Sequence, residues 1–172
     1  MYQRILVPVD GSPTSNAGLA EAIKLGKLTG ARLRLLHLIH EMPYVMSAEG
    51  YGAVAVDMLV SLKEAGASIL EQARTQVEEQ GIAVDTILLD TFGARLCELV
   101  AEQVQEWGAD VVVLGTHGRR GIGRMMLGSD AEQIVRTAAV PVLLIRGADA
   151  EVVHEKATFL PLVSNPLALA GL

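Results

Sequence analysis

Short apolar runs alternate along most of the chain with stretches in which apolar residues recur every three or four positions. The first run, residues 5–9, ends in the turn pair Asp10-Gly11. Ser12 then fits a helix N-cap with proline at the next position, and Gly30 is expected to end that helix. The opening of the chain therefore predicts a strand, a turn and a helix.

The same alternation continues to residue 146. Glu41 to Val56 is expected to be an irregular loop, after which Asp57 would cap a long helix that ends at Gly81. A third helix is predicted from Leu96 to Gly108 and a fourth from Ser129 to Thr137. Further strands are predicted over residues 33–39, 84–89, 111–115 and 142–145.

Five strands alternating with four helices predict an α/β fold, namely a doubly wound, five-stranded parallel sheet of Rossmann-like type in a single domain, residues 1–146. Ligands of such sheets bind beyond the carboxyl ends of the strands, where the strand order reverses. Asp10 and the loop after Gly115 both follow strands, so the candidate site lies there.

Residues 147–172 do not continue the alternation. Their last part, Phe159 to Leu172, is almost wholly apolar but is interrupted by Pro161 and Pro166. Two interpretations remain open for this C-terminal tail: a loosely ordered segment, or an arm that packs on a partner subunit or over the sheet.

Composition narrows the functional classes. Of the 172 residues, 51% are hydrophobic, which excludes a disordered chain, and the net charge of −6 argues against a nucleic-acid binder that relies on bulk charge. The single cysteine, Cys97, excludes an internal disulfide and is expected in the core. Met1 to Arg4 lead straight into a strand pattern, and no apolar run reaches the roughly 18 to 20 residues of a membrane span. A soluble, cytoplasmic protein is expected.

The loop from Gly115 to Ser129 is rich in glycine and contains three arginines but no acidic residue between Thr116 and Ser129. Ser129 and Glu132 fit a capping box at the start of the fourth helix. Glycines let a backbone approach a ligand, and a helix N-terminus attracts anions, so this loop is predicted to bind phosphate. Neither a P-loop nor a G-x-G-x-x-G turn is present at a strand end.

The spacing Gly115-x2-Gly118-x9-Gly128-Ser129 resembles the ATP-binding signature of the universal stress protein family. The opening residues 5–12 and the closing residues 141–146 are similar to that family as well, and the likeness covers about residues 2–146.

The resemblance implies ATP, with Mg²⁺, bound through Asp10 and the end of the second strand on the adenosine side and through the glycine loop on the ribose and phosphate side. It also implies a homodimer that pairs through Val142 to Arg146. Asp130 departs from the family's small neutral residue and is expected to make binding magnesium-dependent. The candidate binding residues are Pro8, Val9, Asp10, Leu38, Ile39, Leu114, Gly115, Thr116, His117, Gly118, Arg119, Gly128, Ser129, Asp130 and Ala131.

Three functions remain open. The favoured one is an ATP-binding regulator that signals energy or stress state to an unidentified partner protein. The second is an enzyme, either an ATPase or an adenylate-forming ligase of similar fold, although no second acidic cluster and no clear general base are evident, so that at most slow ATP hydrolysis or autophosphorylation is expected. The third is a nucleotide-free dimerisation module. His37 is interpreted as a packing residue within a strand, and His117 as a residue that positions backbone.

Overall fold

Strands and helices alternate through the parts of the chain that the computed structural model describes, residues 1–40, 52–91, 93–116 and 127–146. The strands are β1 (Arg4–Pro8), β2 (Arg32–His40), β3 (Val84–Thr91), β4 (Val111–Gly115) and β5 (Val142–Ile145). The helices are α1 (Pro13–Thr29), α2 (Gly52–Glu78), α3 (Leu96–Trp107) and α4 (Ser129–Thr137).

The five strands form one sheet in the order β3-β2-β1-β4-β5, and each neighbouring pair is parallel. The chain moves outward from β1 to β3 on one side and then crosses to β4 and β5 on the other. The order therefore reverses between β1 and β4. The predicted doubly wound parallel sheet is confirmed.

Each face of the sheet has its own apolar core because successive strand residues point to opposite faces. Ile5 and Val7 of β1 face the side that α1 and α2 cover, where Leu19 and Val77 are buried. The intervening Leu6 packs on the other side, under α3 and α4. With both faces covered, the strands at the centre of the sheet read as continuous apolar runs.

Helix α1 begins and ends as its sequence predicts. Ser12 is the N-cap, and its hydroxyl oxygen accepts from the Ser15 N–H at 3.2 Å. Gly30 ends the helix in the left-handed conformation at φ 70°. Gly108 ends α3 in the same way at φ 68°.

One predicted helix start and one predicted helix cap are wrong. Helix α2 begins at Gly52 rather than after a cap at Asp57. The intervening Ala-Val-Ala-Val contains no proline or other breaker, so the helix extends through it. Helix α4 has Gly128 as its extended N-cap, and Ser129 is already the first helical residue. Glycine has no side chain that could accept a hydrogen bond, so the predicted capping box of Ser129 and Glu132 is wrong.

None of the described helices is both long enough and apolar enough to cross a bilayer.

Candidate functional site

The chain turns sharply after β1 in a corner built by side-chain hydrogen bonds. The Val9 N–H continues the strand ladder to the Leu36 carbonyl at 2.8 Å, and the Asp10 N–H donates to Ser15 Oγ at 3.1 Å. Asp10 Oδ1 in turn accepts from the Ser12 N–H at 2.9 Å. The half-buried Asp10 carboxylate is thus held at the carboxyl edge of the sheet, between β1 and the first turn of α1.

The end of β4 lies against the same first turn. A Cβ added to Gly115 would lie 2.6 Å from the Thr14 carbonyl oxygen and 3.0 Å from Ser15 N. The first distance is shorter than real Cβ atoms adopt and the second is unusually tight, so a side chain here would have to push the backbone of α1 aside. Gly115 is therefore required by the packing of α1 on β4, whereas its sequence context was interpreted as access for a ligand. Because Asp10 and Gly115 both contact Ser15, the two strand ends meet at this residue.

The two ends of the glycine-rich loop are joined to each other. The Gly128 N–H donates to the Thr116 carbonyl oxygen at 2.9 Å, while the buried Thr116 donates its own N–H to Ile145 O at 2.9 Å. The loop that leaves β4 therefore returns to the end of the same strand before α4 starts. This closure places the N-terminus of α4 beside the strand ends.

The first turn of α4 leaves backbone N–H groups without intrahelical partners, and the helix dipole is positive at this end. Ser129 is exposed here, and its hydroxyl does not cap the helix. A helix N-terminus of this kind attracts anions such as phosphate. Asp130 and Glu132 place two carboxylates in the same turn.

The pairing of the strands places the end of β2, with the predicted residues Leu38 and Ile39, at the same edge of the sheet. Strand β1 pairs in parallel with β2 on one side and with β4 on the other, so the ends of β2 and β4 lie on either side of the end of β1. Leu38 and Ile39 are buried at the end of β2, 8% and 3% exposed, and as successive strand residues they point to opposite faces of the sheet. A carboxylate, the end of β2 and a helix N-terminus thus share one edge of the sheet.

Not every predicted residue can meet a ligand with its side chain. Leu114 and Ala131 are 5% and 4% exposed and belong to the core on the α3 and α4 side of the sheet, so their side chains are not available to a ligand. Pro8 and Val9 are buried at the end of β1 and just beyond it. His117, Gly118 and Arg119 lie outside the described residues, as do Arg120 and Arg124.

The sequence interpretation missed the residues that build the corner. Ser12 was assigned only as a cap, while Ser15, Gly18 and the contact of His37 with this corner were not singled out. A Cβ on Gly18 would lie 3.1 Å from Gly115 N, so α1 and β4 interlock through two glycines. The recurrence of serine three residues after the N-cap is the one local signal that could have pointed to Ser15.

The family model that describes the universal stress protein family matches residues 1–146. The chain belongs to this family. Universal stress protein MJ0531 of Methanocaldococcus jannaschii is 32% identical over 147 residues, which cover 85% of this chain and 83% of that protein. The solved structure of MJ0577 superposes with a TM-score of 0.72 at 25% identity, covering 85% of this chain and 96% of that one.

Two less similar structures of universal stress proteins contain adenine nucleotides. One, from Archaeoglobus fulgidus, is a complex with dAMP (TM-score 0.59, 22% identity, 84% of this chain and 98% of that one). The other is a complex with cAMP (TM-score 0.60, 21% identity, 86% of this chain and 98% of that one). At these identities, the likeness of this chain to either structure is one of fold.

Proposed function

We propose that the protein binds ATP with Mg²⁺ at the carboxyl edge between β1 and β4 and acts as a dimeric regulator rather than as a metabolic enzyme. The observation that carries this proposal is the contiguous set of contacts from Asp10 through Ser15 and Gly115 to Thr116 and Gly128. These contacts join an acidic corner to a helix N-terminus at the point where the strand order reverses. The adenine nucleotides bound by two proteins of the same fold support the choice of ligand class.

The adenosine part suits the β1–β2 side of this edge. The end of β2, at Leu38 and Ile39, lies next to this corner, and the Asp10 carboxylate is a hydrogen-bond acceptor for the hydroxyls of a ribose. The phosphates suit the β4–α4 side, because the helix N-terminus favours negative charge there.

A divalent cation would be held chiefly by the phosphates themselves. In the described part of the chain, no group of three or more His, Cys, Asp or Glu side chains is arranged to hold a metal ion. Asp130 is an exposed carboxylate at the phosphate end of the proposed site, and a cation between it and the triphosphate would relieve their repulsion.

We propose a homodimer that pairs through β5. This strand is one of the two sheet edges, all four of its residues are at least partly exposed and uncharged, and Leu143 is 40% exposed. The opposite edge strand, β3, contains Asp85 and Asp90, and charges on an edge oppose strand pairing. The two edges therefore differ in the way expected if only β5 pairs.

The experiment that tests the nucleotide proposal starts with protein purified without added nucleotide. The protein is denatured, any released small molecule is identified by mass spectrometry, and ATP is then titrated with and without Mg²⁺. We expect released adenine nucleotide or saturable binding of ATP, and turnover well below about 1 s⁻¹.

A matched pair of variants locates the site. Asp10→Asn keeps an oxygen that can accept from the Ser12 N–H but removes the charge, so it should weaken binding without unfolding the corner. Asp110→Asn removes a charge at the amino end of β1, where the carboxylate accepts from the N–H groups of Gln3 and Arg4; it keeps one of these two hydrogen bonds and should bind nucleotide like the unaltered protein. If the unaltered protein hydrolyses ATP faster than about 1 s⁻¹, the ATPase interpretation is favoured instead. The absence of both released nucleotide and binding would favour the dimerisation module.

A further inference from the structure

His37 ties β2 to the corner that follows β1. Its ring is buried, with the residue 7% exposed, and its Nδ1 lies 2.7 Å from the carbonyl oxygen of Val9. A carbonyl oxygen accepts and never donates, so Nδ1 must carry the proton in this contact. The geometry therefore fixes the proton on Nδ1, whether or not Nε2 is protonated as well.

The accepting carbonyl belongs to the first residue beyond β1 and directly precedes Asp10. The Asp10 N–H is held from the opposite side by Ser15 Oγ at 3.1 Å. The peptide unit between Val9 and Asp10 is thus fixed at both polar groups, by His37 from β2 and by Ser15 from α1. Val9 is 5% exposed, and a buried carbonyl that loses its donor is costly to leave unpaired.

Helix α2 holds the imidazole from its other side. A Cβ added to Gly66 would lie 2.9 Å from His37 Cδ2 and 3.3 Å from Nε2, and 3.0 Å from Leu88 Cδ1. The helix backbone therefore lies directly over the ring, and only a residue without a side chain fits there. The ring is confined between α2 and the corner, and its orientation toward Val9 is set by packing.

From these contacts we infer that His37 is a positioning residue for the nucleotide site, holding the Val9–Asp10 corner where the adenosine part binds. The inference rests on the proposed function. It assigns His37 a role beyond the packing that its strand position predicts. Because the corner lies on the nucleoside side of the site, loss of the His37 hydrogen bond should weaken the binding of AMP and of ATP by the same factor.

Two substitutions separate the hydrogen bond from the bulk of the ring. His37→Leu fills space without a donor, whereas His37→Asn keeps an N–H donor close to the position of Nδ1. We measure Kd for AMP and for ATP with Mg²⁺ by calorimetry. His37→Leu should raise both constants by the same factor, about fivefold to tenfold for one lost hydrogen bond. His37→Asn should restore most of the affinity for both.

The control variant lowers the stability of the protein at a position away from the nucleotide site. Val77→Ala removes two methyl groups from a fully buried position of α2 at the amino edge of the sheet. It should lower the free energy of unfolding while leaving both Kd values unchanged. Gly66→Ala places a methyl group against the His37 ring from α2 and should raise the Kd for AMP and for ATP in parallel. This variant gives a second readout if His37→Leu fails to fold.

The outcomes distinguish the two proposals. If the unaltered protein binds neither AMP nor ATP, the proposed function fails and the inference fails with it. If the unaltered protein binds but His37→Leu (or, in its place, Gly66→Ala) binds both nucleotides as tightly, the inference alone is wrong. It is also overturned if only ATP is weakened, or if His37→Asn binds no better than His37→Leu.

Discussion

Asp130 places a negative charge where the proposed site would hold a triphosphate. It is exposed in the first turn of α4, where the helix dipole favours an acid by about 0.3–1 kcal/mol in the absence of ligand. The same charge repels a phosphate unless a cation lies between them. A single residue therefore favours the folded helix and disfavours an uncomplexed nucleotide.

We predict that Asp130→Asn lowers the Kd for ATP in the absence of Mg²⁺ several-fold, while Kd in the presence of Mg²⁺ changes little. The magnesium dependence of binding, measured as the ratio of the two constants, should shrink. Glu132→Gln removes a charge from the same turn, but Glu132 pairs with Arg136 at 2.8 Å, so its effect should be smaller. An unchanged ratio in Asp130→Asn would show that this carboxylate lies away from the phosphates.

Single residues also show where sequence reasoning stops. Asp10 and the glycine loop could be placed at strand ends because strand and helix patterns are local. The bond from His37 to Val9 joins residues 28 positions apart and exists only once β1 and β2 pair in a particular register. Likewise, Gly115 was assigned to ligand access because the first turn of α1, which actually excludes a Cβ there, cannot be located from the loop sequence.

At the scale of whole elements, boundaries were predicted best where two signals coincide. The bounds of β4 and of β5 agree with the structure because each is an apolar run bounded by turn residues. Helix α4 has the predicted range although its cap was wrong, since its start is set by the bond from Gly128 to Thr116 rather than by a capping side chain. The hydrogen bond between Gly128 and Thr116, at the two ends of the loop, therefore sets the start of α4, and the predicted capping box does not.

The packing of α1 on β4 leads to a prediction for the free energy of unfolding. Gly115→Ala would place a Cβ 2.6 Å from backbone oxygen, so the helix must shift, and we expect a loss of about 1–3 kcal/mol. Gly18→Ala meets the facing strand at 3.1 Å, and a gain in helix propensity of about 1 kcal/mol offsets much of that contact. It should therefore cost clearly less.

Unfolding in urea, followed by the fluorescence of the single tryptophan, Trp107, measures both variants without nucleotide. Trp107 is a suitable reporter because the guanidinium of Arg34 lies 4.7 Å from its ring centre and joins α3 to the sheet. If Gly115→Ala proves as stable as the unaltered protein, the glycine is not required by packing, and its role must be sought in the ligand.

At the scale of the molecule, the alternation of elements predicted a sheet whose order reverses once, and the observed order β3-β2-β1-β4-β5 leaves β3 and β5 as edges. The identity of the edges could not be read from local patterns, because it depends on the direction of each crossover. Once the strand order is known, the charges on β3 and their absence on β5 indicate which edge strand can pair with a second copy of the chain.

The proposed dimer follows from this difference and is tested at the centre of β5. Leu143→Glu introduces a charge at a 40% exposed position, where a folded monomer tolerates it but a paired edge does not. Thr86→Glu makes a comparable change at an exposed position of β3 and serves as the control. Sedimentation velocity at micromolar concentration should give a dimer for the unaltered protein and for Thr86→Glu, and a folded monomer for Leu143→Glu. A dimer that survives Leu143→Glu but dissociates in Thr86→Glu would move the interface to β3, where pairing must accommodate Asp85 and Asp90.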